Sequence, residues 1–273
     1  MEKFSVSMCV YGGDDPQWFC TAVESILNQT VKPDEVVLVV DGPVPTQLDD
    51  IICGYAQNPV FRVIRLEKNM GHGEARRIGL DDCSYDLVAL MDADDISASD
   101  RFERQLEQFA AMPELTIVGG DITEFVGTPD HLVGARTVFA ADQDIKRDMK
   151  KRCPMNQVTV MFRKSAVAAA GGYIDWFCEE DYYLWLRLML DGATFANINL
   201  PLVNVRVGKE MYRRRGGMKY FKSEAKLQAW MLQHKVIGFG TYVVNVTKRL
   251  IVQVLLPNRL RSWVFQKFAR KPV

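Results

Sequence analysis

The chain has 273 residues, of which 48% are hydrophobic and 25% charged, and its 34 basic and 34 acidic residues leave no net charge. These values are typical of an ordinary globular protein, and the sequence contains neither internal repeats nor low-complexity segments. A chain of this length forms one large domain, or one domain with an appendage, around a substantial core.

The cysteines and the N-terminus favour a cytoplasmic protein. The six cysteines include no CxxC pair, which favours reduced thiols over a disulfide framework or a zinc site. The first predicted strand begins almost at once, without the charged and apolar regions of a secretion signal. No run of roughly 18 uninterrupted apolar residues occurs, so a helix that spans a membrane is not expected.

The first half of the chain alternates between predicted strands and helices. An alternating pattern predicts a strand at residues 4–11, apolar runs predict strands at 35–40 and 87–91, and a further strand is expected at 61–66. Helical spacing predicts a helix that starts at Asp14–Pro16 and further helices at residues 46–55, 74–82 and 99–112. This alternation is typical of βαβ units and predicts an α/β fold with a single, Rossmann-like, mostly parallel sheet flanked by helices.

The second half is less regular. Strands are predicted at residues 116–126, 157–163 and 201–207, and helices at 166–170 and 182–190. The predicted helix at 182–190 is preceded by acidic residues, which the helix dipole favours in a first turn. Residues 208–217 are predicted to form a loop.

Three carboxylates, Asp92, Asp94 and Asp95, follow the apolar strand at residues 87–91. Carboxylates that lie so close repel one another, and a divalent cation such as Mg²⁺ or Mn²⁺ would relieve this repulsion. The alternative is a solvated acidic loop that caps the next helix. Ligands of doubly wound sheets bind beyond the carboxyl ends of the strands, so Tyr11, Asp41 and the Gly71 loop are predicted to converge on the same crevice.

Two other motifs have competing interpretations. The segment from Gly71 to Arg76 resembles a dinucleotide fingerprint and would suggest an NAD-dependent oxidoreductase, but Arg76 stands where the third glycine belongs and the segment is in the third βα unit. A glycine turn that delivers Arg76 to a nucleotide explains it better. The acidic residues at 179–181 are either first-turn charges or include a carboxylate that acts as a base on a sugar hydroxyl.

Taken together, these motifs resemble family 2 glycosyltransferases with the GT-A fold over about residues 4–215. The matching segments, in the order of the family, are 6–11, 25–30, 33–42, Asn69 with Gly71, Ala75, Arg76 and Gly79, the DxD motif at 92–95, and Glu180–Asp181 with Trp185 and Arg187. The members of this family that the chain most resembles are bacterial and synthesise exopolysaccharide, capsule or O-antigen.

The resemblance implies an inverting, metal-dependent transfer of a sugar from a UDP-sugar to a hydroxyl of a glycan acceptor, in particular a lipid-linked one. Asp181 would be the catalytic base, and Asp94 would bind the divalent metal ion, Mn²⁺ or Mg²⁺. The residues expected to bind the nucleotide sugar are Val10, Tyr11, Asp41, Gly71, Arg76, Asp92 and Ala93. Weaker expectations place Glu180, Arg213 and Arg214 at the acceptor or the diphosphate.

Some positions depart from the family pattern. Arg77 replaces the usual Asn after the Ala-Arg pair, Gly12–Gly13 replaces Asn-Gly, and Gln157 stands where related chains often have His. These positions border the site in the family, so they leave the identities of donor and acceptor open. A non-catalytic nucleotide-sugar-binding module is a further alternative, although Asp94 and Asp181 are both present.

The expected organisation is a glycosyltransferase domain at residues 1–217 and a helical, basic C-terminal tail at 218–273. The domain would divide into a nucleotide-binding half, about 1–112, and an acceptor half, about 113–217. No acidic residue follows Glu224, whereas Lys and Arg continue to the C-terminus. The tail therefore favours an anionic membrane surface over nucleic acid, with the protein peripheral at the inner face of the cytoplasmic membrane; packing on the core or on a second subunit of a homodimer is the alternative.

Overall fold

The computed structural model describes residues 2–208 and 216–257. The strands in these ranges are β1 (Phe4–Tyr11), β2 (Glu35–Asp41), β3 (Phe61–Arg65), β4 (Leu87–Met91), β5 (Ile96–Ser97), β6 (Leu115–Phe125), β7 (Leu132–Arg136), β8 (Met161–Arg163) and β9 (Thr194–Arg206). The helices are α1 (Pro16–Leu27), α2 (Thr46–Tyr55), α3 (His72–Asp82), α4 (Arg101–Ala111), α5 (Asp142–Asp148), α6 (Lys164–Ala169), α7 (Glu180–Leu190), α8 (Met218–Gln233) and α9 (Phe239–Leu250).

A mostly parallel sheet of nine strands, counted over the described residues, runs through both halves of the chain. Its order is β3-β2-β1-β4-β8-β6-β9-β5, with β7 paired to β6. The strands β3, β2, β1 and β4 are mutually parallel. Strand β8 is antiparallel to both of its neighbours, β4 and β6, and β9 is parallel to β6. The carboxyl ends of β1, β2, β4, β6 and β9 therefore lie at one edge of the sheet.

The sequence of the central strands explains this arrangement. In β2, every residue from Val36 to Asp41 is buried, as expected for a parallel strand that is covered by helices on both faces. Gly79 of α3 is close to the sheet, because a Cβ atom at this position would lie 2.9 Å from the Oγ of Ser7 and 3.0 Å from the Cγ2 of Val39. The predicted α/β fold is confirmed.

Helix α1 begins where the sequence predicted. The Asp15 carboxylate accepts hydrogen bonds from the backbone N–H groups of Gln17, at 2.9 Å, and Trp18, at 3.1 Å. Pro16 occupies the first helical position, where its missing N–H has no consequence. This cap fixes the helix start directly after the loop that leaves β1.

The second half differs from the sequence-based prediction in several elements. The predicted strand at 157–163 is a single 3₁₀ turn, Gln157–Thr159, followed by the short strand β8. Strand β9 begins at Thr194 rather than at residue 201, because its pairing with β6 continues through irregularities in register. The sequence pattern did not reveal β5, β7 or α5; only one residue of α5, Ile145, is buried.

The C-terminal part is helical as far as it is described. Leu227 and Met231 of α8 are buried in the same hydrophobic cluster as Trp185 and Leu188 of α7, so this helix packs on the rest of the domain. Helix α9 continues into a π-helical turn, Ile251–Leu255, and the remainder of the tail, 258–273, lies outside the described residues. None of the helices in the described ranges is long and apolar enough to cross a membrane.

Candidate active site

The register of the parallel strands determines which residues lie side by side at the site. Tyr11 pairs with Asp41 at the ends of β1 and β2, and Met8 pairs with Met91 at the end of β4. Asp92 follows β4 directly, so the acidic motif leaves the sheet beside the loop after β1. The convergence that the sequence predicted is present for these residues.

Asp41 organises the loop that leads into α3. Its Oδ1 accepts the backbone N–H of Met70 at 2.6 Å, and its Oδ2 accepts that of Gly71 at 3.1 Å. Gly71 has a φ of 87°, a left-handed conformation that favours glycine. Asp41 is 5% exposed, and its carboxylate thus fixes a glycine turn at the end of β2.

Arg76 links this turn to the acidic motif. Its side chain is 3% exposed, and its guanidinium forms an ion pair with the Asp92 carboxylate, which is 34% exposed. Burial alone would lower the pKa of Arg76, but the nearby Asp92 raises it above the usual value. Arg76 is therefore a fixed buried cation behind Asp92, and Asp92 stays partly accessible at the floor of the cleft.

His72 extends this chain of contacts to α7. The Nε of Arg76 donates to the Nε2 of His72 at 3.0 Å, and the Nδ1 of His72 lies 3.2 Å from the Oε1 of Glu180. Glu180 is the first residue of α7. An unbroken series of polar contacts therefore runs from Asp92 to the residue that precedes Asp181, which places the predicted base near the acidic motif.

Asp181 lies in a partly buried, charged environment. Burial and the neighbouring charge of Glu180 raise its pKa from 3.8 to about 6, whereas Arg76 and Arg136 act in the opposite direction. Burial would also raise the pKa of Glu180, but the hydrogen bond from His72 leaves it below its usual value. Two adjacent carboxyl groups thus have displaced pKa values in opposite directions, a pattern typical of acid–base sites.

Asp94 and Asp95 have different surroundings. Asp95 is 3% exposed, and its Oδ1 accepts the backbone N–H of Arg206 at 2.8 Å. Burial, together with the charges of Asp92 and Asp94, raises the pKa of Asp95 well above its usual range. The Nε of Arg206 donates to the backbone carbonyl of Asp94 at 3.2 Å, so the end of β9 fixes the backbone of the acidic motif.

The residues of the acidic motif fit a divalent cation that binds together with a diphosphate. Within residues 2–208 and 216–257, no three His, Cys, Asp or Glu side chains form a ready metal cage. Mg²⁺ does not need one, because it commonly binds through one or two carboxylates, substrate phosphates and water. Asp95 is buried and Asp92 is bound to Arg76; a cation at Asp94 would relieve the like-charge repulsion among the three carboxylates.

The other predicted nucleotide residues are placed as follows. The ring of Tyr11 is 49% exposed and lies against Gly13, where a Cβ atom would approach it to 2.6 Å. The side chains of Val10 and Ala93 are buried in the core, so contacts of these two residues with a ligand would come from their backbone. Arg213 and Arg214 lie outside the described residues.

Four residues of the site were not predicted as site residues from the sequence: His72, Arg136, Cys153 and Arg206. Arg206 lies with its guanidinium 4.4 Å from the ring of Trp18 and 4.6 Å from that of Phe125. Arg136 and Cys153 flank Asp181, and the Arg136 Nη2 donates to the backbone carbonyl of Cys153 at 2.6 Å. Each contact joins segments far apart in the chain, and no local motif signals it.

Residues 5–169 match the profile of the family described as "Glycosyl transferase family 2". A Haemophilus influenzae protein named "Uncharacterized glycosyltransferase" is 38% identical over 98% of this chain and 100% of its own length. The Escherichia coli "UDP-Gal:alpha-D-GlcNAc-diphosphoundecaprenol beta-1,3-galactosyltransferase" is 35% identical over 98% of this chain and 97% of its own length. "Amylovoran biosynthesis glycosyltransferase AmsE" of Erwinia amylovora is 34% identical, with coverages of 97% and 98%.

The fold is also that of a solved protein, S. aureus TarS. The structure of its residues 1–349 in complex with UDP-GlcNAc aligns with a TM-score of 0.67 over 96% of this chain and 75% of that one, at 14% identity. At such an identity the likeness concerns the fold alone, which is the GT-A fold. Together with the profile match and the full-length relatives, it shows that this chain is a glycosyltransferase and belongs to glycosyl transferase family 2.

Proposed function

We propose that this glycosyltransferase moves a sugar from a UDP-sugar to a hydroxyl of a lipid-linked glycan acceptor, with inversion at the anomeric carbon, in the synthesis of a bacterial surface polysaccharide. The observation that carries the proposal is the contact series from Asp92 through Arg76 and His72 to Glu180. It supports a single cleft with the nucleotide residues on one side and Asp181 on the other.

The donor proposal has two supports. The E. coli relative is named for UDP-Gal, and the TarS structure of similar fold is a complex with UDP-GlcNAc. In this chain, Tyr11 and the turn fixed by Asp41 form the part of the cleft that suits the uridine. Asp92, braced by Arg76, would then accept hydrogen bonds from hydroxyl groups of the ribose or the sugar.

Asp181 is proposed as the base. With a pKa of about 6, it is largely ionised at neutral pH and binds a proton more readily than an ordinary carboxylate. It would remove the proton of the acceptor hydroxyl as the oxygen attacks the anomeric carbon opposite the departing UDP. Such an in-line displacement inverts the configuration at that carbon.

A divalent cation, Mn²⁺ or Mg²⁺, is proposed at Asp94. When bound, it would neutralise the negative charge that grows on the departing diphosphate. The contribution of the protein is to fix the position of this carboxylate. Arg206 does so by binding the carbonyl of Asp94 and, through its backbone N–H, the side chain of Asp95.

The acceptor proposal rests on the name of the E. coli relative, which contains a diphosphoundecaprenol-linked sugar. A membrane-borne acceptor suits an enzyme that works at the inner face of the cytoplasmic membrane. Helix α9 and the turn that follows expose apolar side chains, including Phe239, Val244 and Leu255, beside the exposed basic residue Lys248. Such a face suits an anionic lipid surface.

Nucleotide binding followed by transfer tests the proposal. UDP with Mn²⁺ should raise the melting temperature of the full chain, whereas GDP and NAD should not. Release of UDP from a panel of UDP-sugars, with a GlcNAc-diphosphate lipid as acceptor, should then identify the donor, and NMR of the product should give an inverted linkage. Stabilisation by NAD and not by UDP, or retention of configuration, would refute the proposal.

Vesicle flotation tests the membrane part separately. The full chain should float with vesicles that contain anionic lipid, and less so at high salt. Val244→Glu should weaken flotation, whereas Leu200→Glu, a matched change at another exposed apolar residue, should not. A membrane role for this helix would be contradicted if both variants floated equally. It would also be contradicted if the chain formed concentration-dependent dimers that Val244→Glu abolishes.

A further inference from the structure

His72 stands between the two halves of the cleft. It is the first residue of α3, and its ring contacts Arg76 on one side and Glu180 on the other. The two contacts lie 3.0 and 3.2 Å away. Arg76 is bound to Asp92, and Glu180 precedes Asp181, so this ring joins the donor side of the cleft to the side of the base.

The chemistry of Arg76 fixes the tautomer of this ring. The Nε of an arginine carries a hydrogen and can only donate, so the Nε2 of His72 must accept and therefore carries no proton. A neutral ring then has its proton on Nδ1, which faces the Glu180 Oε1. The hydrogen bonds consequently run in one direction, from Arg76 to His72 and from His72 to Glu180.

We propose that His72 is a positioning residue for the transfer reaction, which fixes the ionised Glu180 carboxylate beside Asp181 and ties it to the Arg76–Asp92 pair. This inference rests on the proposed role of Asp181 as base. His72 does not touch the reacting atoms in this arrangement; it acts through Glu180.

The surrounding charges explain why this link matters. Glu180 is 12% exposed in its side chain, and an acid so placed would gain a proton or turn toward the nearest cation. That cation is Arg76, which already binds Asp92. His72 lies between Arg76 and Glu180, because it accepts from Arg76 and donates to Glu180. Asp92 therefore keeps Arg76 as its partner, and Glu180 keeps His72.

The fixed charge of Glu180 also acts on its neighbour. It raises the pKa of Asp181, against the opposing effects of Arg76 and Arg136. Further ionisable groups that interact with Glu180, Asp181 or His72 include Glu179, Cys153, Tyr173 and Asp14. A Glu180 that had lost its hydrogen bond would no longer hold its charge at a constant place beside the base.

Two substitutions separate the two contacts of the ring. His72→Phe keeps the shape but removes both hydrogen bonds. His72→Asn can restore the donor to Glu180, because an Asn amide nitrogen takes the place of Nδ1, but it leaves the Arg76 Nε without its acceptor. The side chain of His72 is 53% exposed, so both variants should fold. The same Phe substitution at His131, an exposed loop residue, is the matched control.

Kinetics of the variants gives the first test. We expect His72→Phe to lower kcat by about tenfold or more while the KM for the donor changes less than about threefold, because Arg76 and Asp92 remain paired. His72→Asn should recover most of kcat, and His131→Phe should behave as the wild type. A kcat of His72→Phe within about twofold of the wild type, or a folded His72→Asn as slow as His72→Phe, would overturn the proposal.

Spectroscopy gives a test that does not depend on activity. The chain has three histidines, so ¹⁵N NMR of histidine-labelled protein should assign His72 from the signal that His72→Phe removes. We expect a neutral ring with the proton on Nδ1. A proton on Nε2, or rapid averaging between the two, would overturn the inference even if transfer occurs. The expected tautomer in a protein that transfers no sugar would instead refute the proposed function and leave the link between α3 and α7 intact.

Discussion

The thiol of Cys153 lies 3.8 Å from the Oδ2 of Asp181. The other carboxylate oxygen, Oδ1, accepts the backbone N–H of Tyr182 at 2.6 Å. Burial, followed by the charge of Asp181, raises the pKa of Cys153 well above its usual range, so the thiol stays protonated and faces the carboxylate as a weak donor. Burial and the charge of Glu180, against the hydrogen bond from Tyr182, raise the pKa of Asp181 to about 6, which makes its protonation measurable.

The pH dependence of transfer should report Asp181. The base must be ionised to act, and its pKa is about 6, so kcat/KM should fall about tenfold per pH unit below that value. Transfer rates measured with one UDP-sugar over a range of pH values would give the acid side of this pH profile. An acid limb near the ordinary pKa of an aspartate, about 4, would show that the raised pKa is not that of the catalytic group.

Asp181→Asn should abolish most of the transfer and leave donor binding unchanged. The amide has nearly the same shape but cannot accept the proton, so we expect turnover to fall by roughly 100-fold or more. Calorimetric titration with UDP and Mn²⁺ would measure binding. Asp191→Asn, at the other end of the same helix, is the control, and unchanged turnover of Asp181→Asn would remove this residue as the base.

The same variant should be more stable than the wild type above neutrality. The folded state raises the pKa of Asp181 from 3.8 to about 6, so it binds this proton more tightly than the unfolded chain does. That contribution to stability is complete below about pH 4 and is lost as the pH rises through about 6. Near pH 8, we expect the free energy of unfolding of Asp181→Asn to exceed that of the wild type by on the order of 1–3 kcal/mol. Urea unfolding of the variant and the wild type near pH 4 and near pH 8 would measure this difference in the free energy of unfolding. An equal difference at the two pH values would contradict the linkage.

Asp94→Ala should weaken UDP binding only when metal is present. If Asp94 supplies the ligand for Mn²⁺, the variant and the wild type should bind UDP alike in EDTA and differ by about tenfold or more with Mn²⁺. Asp130→Ala, in an exposed loop, should show no difference in either condition. Equal losses with and without metal would refute the ligand role.

Arg206→Gln should disturb the acidic motif without removing a charge from it. The variant loses the contacts with Trp18 and Phe125 and the hydrogen bond to the Asp94 carbonyl, which should lower stability by about 1–3 kcal/mol. The affinity of this variant for UDP in the presence of Mn²⁺ should also fall. Arg104→Gln, which breaks an exposed pair with Asp100, should change stability much less, and equal effects of both variants would contradict the role of Arg206.

The sequence predicts the first half of the chain well because its signals are local. The alternating pattern of β1, the apolar runs of β2 and β4 and the cap formed by Asp15 and Pro16 are each visible within a few residues. The second half has weaker patterns. Five of the thirteen residues in β9, Thr194–Arg206, are buried, and Pro201 interrupts it, so the sequence indicates only its last part.

The site was predictable as a set of residues but not as a network. Asp41, Arg76, Asp92 and Glu180 follow from their motifs, and the structure brings them together, although their roles remain predictions. The contacts that join them do not follow, since His72 and Glu180 are 108 positions apart and Arg206 and Asp94 are 112 apart. Such contacts depend on how α3, α7 and β9 pack against the sheet, and no local pattern encodes this.

The antiparallel strand β8 separates β4 from β6 in the middle of the sheet. Strand β8 has only three residues, and its flanking strands β4 and β6 both extend beyond it toward the carboxyl edge. The 3₁₀ turn before β8 lies between them, since the backbone N–H of Leu90 donates to the carbonyl of Val160 and that of Gly120 donates to the Oγ1 of Thr159. The two strands are therefore held two strand spacings apart, about 9–10 Å. Backbone hydrogen bonds maintain this distance, so side chains at the carboxyl ends of β4 and β6 can change while the separation of the two strands stays constant. Such a scaffold allows specificity to diverge among relatives without new architecture.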